Sequence, residues 1–272
     1  MKIKKTGSLL LALIISTGIF SGPAHAEFFD GFVIDMEAGP LYIYRNDGRY
    51  GAAGTRFTAA ETGQQRNLVK AFRLSMEGVF KKKHRIILLY APLELRTSLV
   101  PDEDLRFRNT LFSAGRLLEH SYLFDGYRIS YLNRIFEKGA LDFDLGGTLG
   151  IRNAEVSFRE MNGDKYDSES DIGVIFALKT RVSYSFANGA YLMLDADGFS
   201  TFGLAGDSVS GAIYDLKLSL LAPLRADIDF TLGARLTGGG AEVKSKNIDN
   251  WGDFVSLTAG VRVKYSGINS HK

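Results

Sequence analysis

Cysteine is absent from all 272 residues, which excludes disulfides, c-type haem attachment and thiolate metal sites. Proline occurs only five times and tryptophan once, against 30 glycines and 12 tyrosines. That balance, with a mean hydropathy of -0.03, suits a protein of long strands whose apolar residues are spread out rather than run together. No stretch beyond the N-terminal segment reaches eighteen consecutive apolar residues, so a membrane location would not be achieved with helices. Charge of one sign is also lacking: the formal charge of +2 becomes −1 once Lys2, Lys4 and Lys5 are removed, and no basic excess points to nucleic acid.

Those three lysines open a secretory pattern. They form a basic n-region, Leu9 to Ile19 an apolar core, and Ala24-His25-Ala26 a small-x-small cleavage site. Residues 1–26 therefore read as a cleaved signal peptide, with the mature chain starting at Glu27. The about 246 residues that remain contain no linker-like stretch and read as one domain, 27–272.

What the mature chain does contain is alternation. In Leu141-Asp-Phe-Asp-Leu-Gly-Gly-Thr-Leu-Gly-Ile151 every odd position is apolar or Gly and every even one acidic, small or polar. A period of two is a strand, and about eleven residues of it is the length a tilted strand needs to cross a bilayer. Similar stretches occupy 31–44, 67–80, 84–97, 121–136, 140–152, 171–186, 190–202, 210–221, 225–237 and 253–266. Short connections at Lys81-Lys82-Lys83, Glu137-Lys138-Gly139, Asn188-Gly189 and Ala222-Pro223-Leu224 alternate with longer ones near 45–66, 98–120, 153–170, 203–209 and 238–252. The expectation is an all-β, antiparallel up-and-down transmembrane barrel of about ten strands, with eight or twelve as alternatives, in a bacterial outer membrane. Pro40 and Pro92 fall inside proposed strands, where each should mark a bulge or a break.

The two faces of the strands differ. Phe72, Leu74, Met76 and Phe80, then Ile172, Val174, Phe176 and Leu178, then Ala226, Ile228, Phe230 and Leu232, and last Leu257, Val261, Val263 and Tyr265 form the apolar side. Aromatics gather near strand ends, Phe80, Phe136, Phe186 and Tyr265 at the turn side and Tyr42, Tyr44, Phe202 and Trp251 at the loop side, as two interfacial girdles. The other face carries charge sorted by strand. Asp35 and Glu37, Asp142 and Asp144, Asp195 and Asp197, and Asp227 and Asp229 lie on rising strands; Arg73, Arg128, Arg134, Lys179, Arg181, Lys217, Arg262 and Lys264 lie on descending ones. Neighbouring strands would thus pair opposite charges, with Asp142 and Asp144 meeting Arg128 and Arg134 on one side and Lys179 and Arg181 on the other. A one-residue slip would turn these charges into lipid at about 2–4 kcal/mol per basic group, so the ladder is expected to hold register and, with its long side chains, to plug the lumen.

Catalytic chemistry is sparse. His120-Ser121 with Glu119 has the residue types of an acyl hydrolase, but neighbours along a strand face opposite ways and would not meet. The ten-stranded omptin proteases need an Asp and a His at the rim, for which only His120 is placed. Asp102, Glu103 and Asp104, and Asp164, Asp167, Glu169 and Asp171, lack EF-hand spacing and read as solvated acidic loops; no metal or cofactor is expected. Arg106, Arg108 and Arg116 could grip lipopolysaccharide phosphates. Gly238-Gly239-Gly240 reads as a permissive turn.

Phe112-Ser-Ala-Gly115, Gly126-Tyr-Arg-Ile-Ser-Tyr131, Ile151-Arg-Asn-Ala-Glu155, Asp195-Ala-Asp-Gly198 and Gly238-Gly-Gly-Ala241 follow one another as elements of an uncharacterised family of Gram-negative outer-membrane β-barrel proteins, which the chain resembles over about residues 105–265. The resemblance implies a fold and a location, with no activity, substrate or catalytic residue attached. The expected role is structural or surface interaction through extracellular loops, with outer-membrane lipids, lipopolysaccharide and the assembly machinery as partners. A lipid A or peptide hydrolase at the rim and a narrow small-solute or ion transporter are the alternatives. The tail after Tyr265 departs from the usual aromatic C-terminus of such barrels.

Overall fold

The structure, a computed structural model, describes residues 28–58, 67–201 and 209–266, without the side chains of Asp125, Arg152, Asp171, Ile172 and Ser266. Residues 1–26, expected to be a signal peptide, Phe202, His271 and the tail beyond Ser266 lie outside the described residues.

Alternating polarity is resolved by closing the sheet on itself. The ten long strands are β1 (Phe29–Tyr50), β3 (Leu68–Phe80), β4 (His84–Leu99), β7 (Leu118–Lys138), β8 (Leu141–Glu160), β9 (Tyr166–Ser185), β10 (Tyr191–Ser200), β11 (Val209–Pro223), β12 (Ile228–Val243) and β13 (Ile248–Ser266). Each is antiparallel to its neighbours, and β13 pairs back onto β1 to close the barrel. Two-residue β2 (Phe57–Thr58) adds to the top of β1, and β5 (Leu105–Phe107) with β6 (Thr110–Phe112) makes a separate hairpin. On β7 the outward row Tyr127, Ile129 and Tyr131 is exposed, while Ser130 and Leu132 between them are buried inside. Asn188-Gly189 turns the chain tightly: Gly189 adopts φ 82°, and the Ala190 N–H donates to the Asn188 side chain at 3.1 Å.

Two connections differ from expectation. The strands run on past their apolar rows, so that β8 and β9 stay paired out to Arg159↔Tyr166 and β12 and β13 out to Val243↔Ile248. Above the lipid band the outward residues become polar, but the backbone ladder still satisfies its own N–H and C=O groups, so pairing outlasts the hydrophobic pattern. On the opposite side β11 continues through Pro223, which moves the turn to residues 224–227. Ala226 and Asp227 are therefore exposed in that turn rather than on a strand wall.

Neither proline makes a bulge; each sits where a ladder stops. Along a strand successive backbone groups point to opposite neighbours, and the Ile43 N–H bonds Asn67 on the β3 side. Pro40 thus faces β13, and there the pairing skips from Ala38↔Ala259 to Leu41↔Ser256. The approach is close: a Cβ on Gly39 would stand 1.9 Å from the Leu257 carbonyl oxygen. On β4, the Arg134 N–H bonds the Lys83 carbonyl at 2.9 Å, so even-numbered residues up to Pro92 face β3. The β3–β4 ladder ends at Leu74↔Tyr90. Continued, it would set Phe72 against Pro92, which has no N–H to give. Among the described residues no ladder joins Leu68–Arg73 to Ala91–Leu99, although β3 remains paired to β1 and β4 to β7 throughout. The wall has a seam there.

Candidate functional site: a charge-paired lumen beneath an aromatic cap

The inward face of the lower barrel is a network of buried ion pairs. Near the turns, Asp229 accepts from Lys264 at 2.8 Å and from the Tyr191 hydroxyl at 3.1 Å. Arg134 reaches Asp142 at 3.5 Å, Asp144 at 3.4 Å and Glu137 at 2.9 Å. Asp35 takes two hydrogen bonds from Arg262, 2.7 and 2.9 Å, across the β1–β13 register pair the two residues form. On β9, Lys179 donates to Asp197 at 2.8 Å and Arg181 to Asp195 at 2.9 Å, again as register partners.

Higher up the pairs leave the wall and cross the lumen. Glu77 on β3 is held between Arg85 and Arg181, each at 2.7 Å. Glu37 on β1 binds Lys217 at 2.6 Å and Arg235 at 2.9 Å. Asp215 on β11 is the hub: Arg128 from β7 lies at 2.7 Å, Arg235 from β12 at 2.9 Å and Arg73 from β3 at 3.2 Å. Charges on strands that are not neighbours are therefore tied together through the centre, and that fills the bore. Charge sorting by strand alone misses Glu77, Arg85, Asp215 and Arg235, because each breaks the rule of one sign per strand. Their parity with Arg73, Lys217 and Asp229 is the signal that would have found them. Arg181 and Lys179 turn toward β10 and the lumen centre rather than toward Asp142, and Asp144 binds Arg85 at 3.1 Å instead. Asp227, in its exposed turn, stands outside the network.

Above the charged layer lies an apolar cluster. The segment 100–117 does not project as an extracellular loop. Its β5–β6 hairpin folds in, burying Leu105, Phe107 and Phe112 against Tyr50, Phe57, Leu118, Val156 and Phe158. His120 belongs to this cap, stacked on Phe158 at 4.8 Å and edge-on to Phe57 at 5.6 Å. Burial without a charge partner pushes its imidazole down from 6.5 to about 4, and its Nε2 has no hydrogen-bond partner. Ser121 and Glu119 flank it on the other face of β7, so the three do not assemble into a nucleophile, base and orienter.

The remaining polar candidates are used within the protein. Arg108 binds Asp167 at 3.2 Å and Glu169 at 3.0 Å, and Arg116 binds Glu160 at 3.4 Å. The Arg106 N–H donates to Thr55, and Asp104 accepts from the Ala114 N–H at 2.9 Å. Asp102 and Glu103 stay exposed beside it. Among the described residues no three His, Asp or Glu side chains gather as a metal site. Gly238, Gly239 and Gly240 are part of β12 rather than a turn, and each meets a neighbour a Cβ would strike, Gly240 the Asn250 carbonyl oxygen at 2.1 Å.

Above the charged layer lies a cavity of about 190 Å³, whose lining runs from the ion pairs up to Lys246 beside the aromatic cluster. Its walls include Leu41, Leu93, Tyr122 and Phe254, and its floor is the layer of Arg73, Arg128, Asp215 and Arg235.

No family model matches the chain, and no curated protein matches it in sequence. Solved structures do. The outer-membrane protease OmpT of Escherichia coli aligns with a TM-score of 0.50 at 10% identity, over 87% of this chain and 98% of that one. Ail, the attachment invasion locus protein of Yersinia pestis, aligns at 0.38 and 13% identity over 86% and 99%. The outer membrane protein OprG of Pseudomonas aeruginosa aligns at 0.34 and 12% identity over 87% and 96%. At such identities the likeness concerns the fold, and it agrees with the closed antiparallel topology: the chain is a ten-stranded β-barrel of the kind found in Gram-negative outer-membrane proteins.

Proposed function

We propose that the protein is a resident of the bacterial outer membrane that is closed to ions and small solutes and serves as a structural, surface-facing barrel. The observation that carries this reading is the Asp215 hub, which ties β3, β7 and β12 to β11 across the bore. Opening a path there means separating buried charges from their partners, at about 3–5 kcal/mol for each pair broken. The aromatic cap above is built from different residues and closes the lumen independently. Outward, exposed Phe176, Leu178, Leu218 and Leu232 suit lipid, and the tyrosines Tyr42, Tyr44, Tyr90 and Tyr127 suit the interface on the loop side. Among the described residues the strands run well past the apolar band, so surface contacts would be made in part on strand ends, with the exposed Arg116 the arginine best placed for lipopolysaccharide phosphate.

Planar bilayer recording on the mature protein tests the proposal. Membranes with inserted barrels should conduct like blank membranes across neutral and moderately acidic pH. Stepwise single-channel openings at neutral pH would overturn it.

A further inference from the structure

The chamber above the charged layer and the seam in the wall belong together. The residues lining the chamber include both lips of the seam, Phe72 and Arg73 on β3 and Ala91, Pro92 and Leu93 on β4. Phe72 points outward and is 44% exposed, so the chamber reaches the lipid face of the barrel at that place. The seam begins directly above the Leu74↔Tyr90 pair, and Tyr90 stacks on Tyr127 at 5.1 Å in the loop-side tyrosine band. Above it, the outward Glu94 and Arg96 pair with each other at 2.5 Å, both well exposed, and mark the start of water. The opening therefore faces the outer part of the apolar band. Inside it, Leu93 and Leu95 on the lumen face of β4 pack with Leu41 and Ile43 of β1 and Phe254 of β13, so the wall behind the opening is apolar.

The floor adds a charge preference. Two carboxylates, Glu37 and Asp215, hold four bases there, Arg73, Arg128, Lys217 and Arg235. Asp197, the next acid, is 4.0 Å from Arg128 and is given over to Lys179 at 2.8 Å. That leaves the floor an excess of positive charge, which suits an anionic group. For scale, an apolar cavity of ~150 Å³ admits a benzene molecule, so this one, at about 190 Å³ with the lips of the seam already in its lining, takes the end of a chain and not its whole length.

We infer that the chamber binds the anionic end and first carbons of a single hydrocarbon chain, entered from the outer leaflet through the β3–β4 seam, in which the rest of the chain lies. The anionic group accepts from Arg73 and Arg235 at the floor, and the first carbons lie along Ala71, Leu93 and Leu41. Retention in the chamber rests on the lumen being closed, and conductance recorded on the same preparation separates failure of that reading from failure of this one. The chemistry is common to a free fatty acid and to a lysophospholipid, whose one chain is joined to a phosphate anion.

The test uses the full-length protein, exported and purified into nanodiscs, with a fluorescent polyene fatty acid as probe. Saturable binding at one site per barrel is expected, about tenfold weaker for the corresponding alcohol, which lacks the anionic end. Displacement by unlabelled oleate identifies a free acid; displacement only by lysophosphatidylglycerol identifies a lysophospholipid. Gly150 faces the chamber, and a Cβ there meets nothing closer than 3.6 Å, so Gly150→Leu should fold and fill the space. Its affinity should fall about tenfold or more. Pro92→Val returns the missing N–H to the seam and should slow loading several-fold. No saturable binding to the wild-type barrel, or equal affinity in a heat-modifiable, folded Gly150→Leu, overturns the site. Equal affinity for the alcohol overturns the anionic end, and unchanged loading by Pro92→Val overturns the seam as the route. Should Gly150→Leu fail to fold, the wild-type comparison of acid with alcohol still decides.

Discussion

Asp215→Asn is the sharpest perturbation of this barrel, because it changes a charge and almost no volume. In the native lumen the carboxylate accepts from Arg128 at 2.7 Å, Arg235 at 2.9 Å and Arg73 at 3.2 Å, with Thr237 at 3.4 Å, and only 4% of it is exposed. The amide cannot neutralise any of the three guanidiniums. Arg235 keeps Glu37 at 2.9 Å, but Arg73 is left with Glu37 at 3.9 Å and Arg128 with Asp197 at 4.0 Å. Removing one partner of a single buried pair costs about 3–5 kcal/mol, and water can enter to relax part of a larger penalty, so a loss of about 4 kcal/mol is expected. Arg96→Gln is the control: it breaks an ion pair 2.5 Å long but exposed, with an expected effect below about 1 kcal/mol. Urea titration of the folded barrel in phospholipid vesicles measures both, with Trp251, the sole tryptophan, as reporter. The denaturant slope should not change, since the area exposed on unfolding is the same. Adding Arg235→Met to Asp215→Asn should recover part of the loss by removing one of the stranded cations. A loss under about 1 kcal/mol for Asp215→Asn, or a double variant worse than the sum of its singles, would refute the idea that the hub holds the lumen shut.

Three further outcomes follow from the same structure. His120 binds its proton at about 4 when folded and near 6.5 when exposed, so the unfolded state takes up the proton first as pH falls; the cap keeps its full stability above pH 6.5 and loses about 3 kcal/mol on the way down to pH 4. Hydrogen exchange of the Phe107–Phe112 amides at several pH values should show the loss, and His120→Leu should flatten it. Gly146→Ala should destabilise by about 1–3 kcal/mol, because its Cβ would stand 1.9 Å from the Tyr131 carbonyl oxygen, whereas Gly150→Ala should be near neutral; urea midpoints of the two variants make the comparison. Phe107→Ala removes a ring that is 1% exposed from the centre of the cap, at about 3–5 kcal/mol of cap stability read by exchange, yet bilayer conductance should stay at the blank level because the charged layer beneath is untouched.

The architecture was legible wherever lipid imposes a pattern. A strand with lipid on one side and packed charge on the other must alternate, and the long strands other than β4 carry that mark, from Asp35–Glu37 on β1 to Arg262–Lys264 on β13. The pattern fades where lipid ends. Residues 153–160 and 166–170 pair in full, Val156↔Glu169 and Ser157↔Ser168 among them, but their outward side chains answer to water and carry no apolar row. The inward-folded hairpin was hidden for a different reason: with strands of three residues each, Leu105–Phe107 and Thr110–Phe112 are too short for any period to show, and only the two buried phenylalanines betray them. Charge was readable as inward or outward but not as pairs. Adjacent-strand logic reaches Asp35 with Arg262, yet it cannot see Glu77 with Arg181 or Asp215 with Arg73, which meet through the lumen from strands far apart in the wall.

Pro92 shows how one residue can join these levels. A proline in a barrel strand is harmless where its missing N–H faces a neighbour that does not ask for it, as Pro40 faces the gap beside Gly39. Pro92 faces β3 at the height where β4 has become apolar on its inner side and where the floor of charged pairs gives way to Leu93, Leu41 and Phe254. An open ladder in lipid leaves backbone groups unsatisfied, at several kcal/mol each if nothing reaches them. Persistence of such an edge is reasonable only near the interface, where headgroups or water can reach it, or where the gap is used. The Tyr90–Tyr127 stack and the exposed Glu94–Arg96 pair put the seam at that interface. A sealed bore, an apolar chamber above it and a lateral gap at the headgroup boundary thus have one consistent reading: exchange with the membrane rather than passage across it.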